Sequence, residues 1–464
     1  MRKKNLLFDK NGRRRLTYAF CGGAFGDEGK GRIVDMVVSE LSKTKKVIVY
    51  RDNGGANAGH TIELADGQRV AFHQLPSGIF ISNTTVVLGK GMVINPRDLI
   101  EELRQISQVK TVKARAKILI DELAVLSLDT HRAYESILKQ WSSGGKGSTG
   151  RGISPAYADI LLRHPLRVRD LINFEEEKIK QHYKLYAALI GGLGEKMAEV
   201  EVPSLTGANH RVGDMNQFVK LLREDAKVLT PYVKDLSEWL SYEWNSSKNA
   251  FVFEKSQAVG IDARWGVYPD VTASETTFEG IFSSTQGLVD PGMIEVRAGV
   301  IKATYMSSVG TRKLPAMMEA KMAERIREDA HEYGATTKRP RDIAYLDIPA
   351  LSFFSKVGRL NSLVLTHMDI SYQGVPIKVC TNYKLGSKIV EYQPDQDFLN
   401  KVRPVYRELP AWDSEKLKKA KSFKEIPIQA KKFIAYLSKA IGIPVIMITT
   451  GPKREQGFLI KNIF

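Results

Sequence analysis

The chain has 464 residues, 43% of them hydrophobic and 26% charged, which suits one large core or two medium ones and excludes a disordered or fibrous chain. Its 69 Lys and Arg against 52 Asp and Glu give a formal charge of +17, attractive to phosphorylated small molecules and to any polyanion. No apolar run approaches the roughly 18 residues of a membrane helix, and no zinc-finger spacing, aromatic RNA-binding signature or basic zipper accompanies the charge. Membrane spans and nucleic acid as a primary partner are therefore set aside.

Residues 1–15, MRKKNLLFDKNGRRR, are basic, lead into no apolar h-region and read as a disordered arm. The remainder, 16–464, reads as a single domain. Short apolar runs bounded by turn residues fall at 16–22, 47–50, 85–88, 117–120, 251–253, 363–365, 377–379 and 445–448, and these are the expected strands. Amphipathic stretches at 33–41, 96–106, 130–141, 217–244 and 428–440 have helical spacing. The alternation predicts an α/β fold: a large, mostly parallel central sheet flanked by helices, with a helical excursion over about 174–249. Only Cys21 and Cys380 occur, so no disulfide framework is implied and a reducing cytoplasm fits.

The segment GGAFGDEGKGR (22–32) follows the first strand and precedes the first helix. Glycines let backbone N–H groups approach phosphate oxygens, a helix N-terminus favours their charge, and Lys30 adds a cation. The common phosphate loop places a hydroxyl residue after its Gly-Lys pair to hold magnesium, whereas Gly31 follows Lys30 here. Asp27, inside the loop, is the natural hard oxygen ligand and also a candidate base beside a reacting nucleotide. A second glycine-dense segment, NGGANAGHT (53–61), carries His60, a candidate general acid.

These segments begin a series: GDEGKG (26–31), NAGHT (57–61), FHQLPSGIF (72–80), GSTGRGISPAY (147–157), WGVYPDVTASETT (265–277), GATTKRPR (334–341), THMD (366–369) and TTGPKRE (449–455). In this order they resemble the adenylosuccinate synthetase family nearly end to end. The resemblance implies a ligase with a phosphate-loop-like GTP-binding architecture. Such an enzyme joins L-aspartate to inosine monophosphate (IMP) through a 6-phosphoryl intermediate, with GTP as co-substrate, Mg²⁺ as cofactor and a homodimer as the working unit.

Carried over residue by residue, the resemblance makes Asp27 the base that removes the N1 proton of IMP, and His60 the group that stabilises charge on O6. Asp27 and the carbonyl of Gly59 hold the metal. GTP falls to Gly26, Glu28, Gly29, Lys30, Gly31, His367, Asp369, Thr450, Gly451 and Pro452, with Asp369 reading guanine. IMP falls to Asp27, Asn57, Ala58, Gly59, His60, Thr149, Gln257, Thr272 and Arg339, with Arg163 reaching its phosphate from a second subunit. The substrate aspartate falls to Thr336, Thr337, Arg339 and Arg341, whose arginine forks suit carboxylates.

The chain departs from the family pattern mainly in specificity regions. Lys338 stands where a glycine is usual, Pro340 where an arginine is usual, and His367 replaces a lysine whose stem packs on guanine. Ala24 and Phe25 replace a Gln-Trp pair, Ala258 a glycine and Glu275 an asparagine. A ligase for another purine nucleotide or amino acid, and a nucleotide-binding regulator without turnover, are the alternative readings. Retention of Asp27, Lys30 and His60 together weighs against the regulator. A related viral branch carries serine in place of the catalytic aspartate, and Asp27 separates this chain from it.

Overall fold

The computed structural model describes residues 15–63, 67–112, 115–141, 148–308, 310, 312–334, 340–451, 453, 455–461 and 463. Residues 1–14 of the basic arm, and Thr336, Thr337, Lys338, Arg339 and Pro452 of the expected site, lie outside the described residues. The chain forms two compact units.

The first unit comprises Met1–Thr17, Val34–Ser256 and Glu279–Met293. Its strands run in the order Val233–Lys234, Lys117–Asp121, Thr84–Leu88, Lys46–Arg51, Asn249–Ala258, and each neighbouring pair is parallel. A parallel strand covered on both faces needs a continuous apolar run, and TTVVL (84–88), buried at every position, supplies one. The helix Pro96–Gln108 starts where Asn95 caps it by accepting from the Asp98 amide, with Pro96 in its first turn. It buries Leu99, Ile100 and Ile106.

The amphipathic stretch expected over 217–244 is two helices, Met215–Leu229 and Ser237–Trp244. Pro231 lies in the 3₁₀ turn Thr230–Tyr232 that separates them, because its ring blocks a continuous α-helix. The two residues Val233–Lys234 then pair with Lys117–Asp121, a strand too short to leave a periodic signal. The pair Glu201–Pro203 and Asn209–Arg211 forms a further short hairpin between helices Glu176–Gly192 and Met215–Leu229.

The second unit comprises Tyr18–Ile33, Gln257–Phe278 and Ile294–Phe464. Leu16–Gly22, Val296–Lys302, Ser362–Thr366 and Val445–Thr449 pair in that order, all parallel, and Gly457–Leu459 adds an antiparallel edge. Val296–Lys302 is absent from the sequence-based set because Arg297 and Gly299 interrupt its apolar run. Gly299 packs closely there, and a Cβ, 2.4 Å from Leu360 Cδ1, would make that side chain shift. A second, mixed sheet contains Tyr305–Ser308, Asp342–Asp347, Ile377–Leu385 and Lys388–Val390, with Arg403–Leu409 also paired to Ile377–Leu385. The expected α/β architecture with a mostly parallel sheet is thus observed. Because the main strands of this unit are parallel, the segments after Gly22, Lys302, Thr366 and Thr449 leave from one edge, where α/β folds bind ligands.

Candidate active site

In the second unit the first strand ends at Gly22, where any side chain would meet Ala258 Cβ and Glu28 Oε2, both 2.5 Å from the position of its Cβ. The loop then turns through Gly26 (φ 108°), Asp27 (φ 56°) and Gly29 (φ 84°), and the helix Lys30–Leu41 begins at once. Its first amides are orphan donors facing the loop, a ready anion site. Glu28 is turned inward, its carboxylate accepting from the Gly26 amide at 2.7 Å and from Lys30 Nζ at 3.0 Å. Its carbonyl accepts from Thr366 Oγ1 at 2.8 Å, tying the loop to the THMD strand end.

Asp27 stands exposed at the loop tip in the left-handed region, which costs an L-residue roughly 1 kcal/mol. Nine described non-glycine residues have positive φ, and four of them, Asp27, Arg163, Gln257 and His367, are among the expected site residues. Backbone strain of that kind collects where ligand geometry demands it. The Asp27 carboxylate accepts from Arg341 Nη2, and Arg341 Nη1 donates to Glu332 at 2.7 Å. Glu332 also meets Lys302 Nζ at 2.5 Å and the Tyr305 hydroxyl at 2.6 Å, and that hydroxyl lies 2.6 Å from His367 Nδ1. Burial opposes ionisation of Glu332, yet the Lys302 and Arg341 cations bring it down to about 2. Burial, with Lys302 adding to it, pushes His367 down to about 4, so its ring is neutral at physiological pH.

Asp369, half-buried and held above the usual carboxylate range by that burial, follows His367 in the same segment. The terminal loop is fastened to the phosphate-loop helix by Arg32, which donates to Gly451 O at 2.5 Å, to Gln456 O at 3.0 Å and to Lys453 O. Thr450 is fully buried, its amide bonded to Gln456 O at 2.8 Å and its Oγ1 without a partner among the described residues. Gln257 accepts from Ser274 Oγ at 3.1 Å, and Thr272 presents a buried Oγ1 likewise without a partner among the described residues. Orphaned buried hydroxyls are uncommon and suit a polar ligand.

In the first unit, Asn53–His60 leaves the carboxyl end of Lys46–Arg51. Ser256 fixes its start by donating from N to Asn53 Oδ1 at 3.0 Å and from Oγ to Asn53 O at 2.9 Å. Tyr157 bridges the Gly54 amide and Gly91 O, at 3.1 and 2.7 Å. Asn57 Oδ1 accepts from the Gly55 amide at 3.3 Å, and Ala58 and Gly59 are half-buried beyond it. His60 opens a short hairpin, its ring centroid 6.0 Å from that of Phe72. Behind it the fully buried Glu102 accepts amide bonds from His73, Gln74 and Leu75 and so shapes the HQLPSG turn. Thr149 is half-buried, while Arg163 is exposed just past the helix Ile153–Leu162.

His131, Asp159 and His182 form a buried trio with metal-like spacing. His131 Nδ1 accepts from the Leu128 amide at 2.8 Å, so its Nε2 carries the proton donated to Asp159 at 2.9 Å and offers no lone pair. Tyr186 completes the cluster by donating to Asp159 Oδ1 at 2.7 Å, and it is a hydrogen-bonded core rather than a metal centre. Sequence reasoning missed Arg32, which ends the glycine-rich segment but drew no role there, and Lys302, Tyr305 and Glu332, which lie outside every quoted block. The available signal was a Lys ending an apolar strand and a Glu two residues before GATTK.

The adenylosuccinate synthetase family profile matches residues 19–458. The chain is 35% identical over 440 residues to the adenylosuccinate synthetase of Chlorobaculum parvum, covering 94% of this chain and 95% of that one. It is 34% identical over 437 residues to that of Halothermothrix orenii, covering 94% and 96%. Among solved structures it is similar to fully ligated adenylosuccinate synthetase from Plasmodium falciparum, with TM-score 0.83, 30% identity and coverage of 96% and 100%. The succinoaminodeoxyadenylate synthetase of cyanophage S-2L, at 16% identity and TM-score 0.60 with 97% of each chain covered, shares the fold. With a profile and relatives that match nearly end to end, the chain belongs to the adenylosuccinate synthetase family.

Proposed function

We propose that this chain joins the amino group of L-aspartate to C6 of IMP, with GTP as phosphoryl donor, giving adenylosuccinate, GDP and phosphate. The observation that carries this reading is Asp27, exposed and in the left-handed region at the tip of a glycine-rich loop that opens a helix, with a carboxylate-binding arginine on its side chain. In this reading Asp27 takes the N1 proton of IMP, O6 bonds to the γ-phosphorus, and the bond from that phosphorus to the β-phosphate oxygen breaks as GDP leaves. The aspartate amine then bonds to C6 while the C6–O bond breaks and phosphate departs. His60 stabilises charge on O6, and Lys30 with the loop amides holds the GTP phosphates.

The carboxylate of Asp27 and the carbonyl of Gly59 are hard oxygen donors of the kind Mg²⁺ prefers, and they are the residues that would hold it. The ion, when bound, offsets phosphoryl charge. Asn57, Ala58, Gly59, Thr149, Gln257, Thr272 and Arg339 bind IMP. Thr336, Thr337, Arg339 and Arg341 bind the substrate carboxylates. His367, Asp369, Thr450, Gly451 and Pro452 enclose guanine, with His367 stacking as a neutral ring. A homodimer, with Arg163 serving the partner's IMP phosphate, is supported by the apolar side chains beside it: Leu161 is 83% and Leu162 66% exposed. A cytoplasmic setting suits Cys21 and Cys380, two buried cysteines that form no disulfide. Among the described residues no helix is long and apolar enough to cross a membrane.

The test is product analysis: purified protein with IMP, GTP, Mg²⁺ and L-aspartate forms adenylosuccinate, seen as an absorbance rise in its band and by chromatography. Absence of that product, with folded protein present, removes the reading.

A further inference from the structure

Glu332 lies between the helix Ala320–Asp329 and the strand Asp342–Asp347 and is 1% exposed. Its carboxylate collects Arg341 Nη1 at 2.7 Å, Lys302 Nζ at 2.5 Å and the Tyr305 hydroxyl at 2.6 Å, and Lys302 also donates to Ser307 Oγ at 2.5 Å. Buried ion clusters of this kind confer little net stability over well-packed apolar residues. Their value lies in the geometry they impose. Here that geometry concerns Arg341.

A guanidinium presents Nε and Nη2 along one edge. In Arg341, Glu332 occupies Nη1, Asp27 occupies Nη2, and Nε is buried without a partner among the described residues. The Nε/Nη2 edge is therefore half used, and a carboxylate arriving there gains two parallel hydrogen bonds and frees Asp27. Without Glu332 the fork is free to turn onto Asp27 with two donors, which closes the receptor and ties up the base. The Tyr305 hydroxyl, touching both Glu332 and His367, extends the same constraint into the base-reading segment.

We propose that Glu332 is a positioning residue that holds Arg341 turned so that its Nε/Nη2 edge can exchange Asp27 for a substrate carboxylate, and that links this receptor, through Tyr305, to His367. The proposal rests on the ligase reading above and adds to it the device that sets amino-acid affinity. Steady-state kinetics of wild type, Glu332→Gln, Glu332→Asp and Tyr305→Phe, with IMP, GTP and L-aspartate varied in turn, test it. Loss of one charge-assisted contact to the receptor predicts that Glu332→Gln raises KM for L-aspartate about tenfold or more, with KM for IMP within about twofold and kcat within about threefold. Glu332→Asp recovers part of that affinity. Tyr305→Phe raises KM for GTP and leaves KM for L-aspartate near wild type.

A Glu332→Gln enzyme with wild-type KM for L-aspartate overturns the proposal. So does a loss spread evenly over all three substrates that follows a fall in melting temperature. If Glu332→Gln does not fold, Glu332→Asp is judged by the same selectivity for L-aspartate, and no selectivity overturns the proposal. Failure of the parent reading shows differently, as a wild-type protein that makes no adenylosuccinate.

Discussion

Asp27 occupies a backbone conformation that most side chains avoid, and it does so at a loop tip where no packing requires it. An aspartate tolerates the left-handed region better than a β-branched residue, so the position combines a turn with an acceptor oxygen. Replacing it by asparagine keeps the turn and removes the proposed base. Asp27→Asn should lower kcat by roughly 10³-fold while GTP and IMP dissociation constants, read by calorimetry, stay within about threefold. A variant that keeps half its turnover would remove Asp27 from the proton transfer. At this scale the sequence was informative wherever a residue sat in a glycine-rich block, as Asp27, Lys30 and His60 do. It was silent on Lys302, Tyr305 and Glu332, because Tyr305 lies 27 positions from Glu332 and 62 from His367 in the chain, and only folding unites them.

Elements fix the site by being joined at their ends. Arg32, in the first turn of Lys30–Leu41, satisfies three carbonyls of the terminal loop that follows Val445–Thr449. The loop thereby stays beside the phosphate-binding helix. Arg32→Ala should weaken GTP binding roughly tenfold, the worth of a multidentate charged contact, with KM for IMP little changed. Equilibrium binding of a non-hydrolysable GTP analogue reads this directly, and unchanged affinity would deny the brace its role. Strands such as Thr84–Leu88 and Val445–Thr449 were legible because burial on both faces demands uninterrupted apolar runs. Val296–Lys302 was not, since a Gly packed close to Leu360 and an Arg anchored on the Arg359 carbonyl break its pattern. Likewise Val233–Lys234 is made by its neighbour Lys117–Asp121, not by any propensity of its own.

At the level of the whole molecule, the formal charge of +17 suits a protein whose proposed substrates, IMP, GTP and L-aspartate, are all anions. The exposed Leu161 and Leu162 next to Arg163 form the apolar surface proposed to meet a second subunit. A Leu161→Asp variant should therefore sediment as a monomer where wild type sediments as a dimer, and it should lose affinity for IMP because the partner's arginine goes with the interface. A variant still dimeric at micromolar concentration would place the interface elsewhere. The family was legible in the order of eight short blocks, and the fold in the alternation of strand and helix. Helix boundaries were less so, because Pro231 divides one amphipathic stretch into two helices.

The central claim is that IMP is phosphorylated on O6 before aspartate displaces that oxygen, and isotope transfer tests it most directly. IMP labelled with ¹⁸O at C6 is converted with GTP and L-aspartate, and the released phosphate is analysed by mass spectrometry. Each phosphate formed should carry one ¹⁸O atom. Label appearing in water, or product forming without GTP, would contradict it.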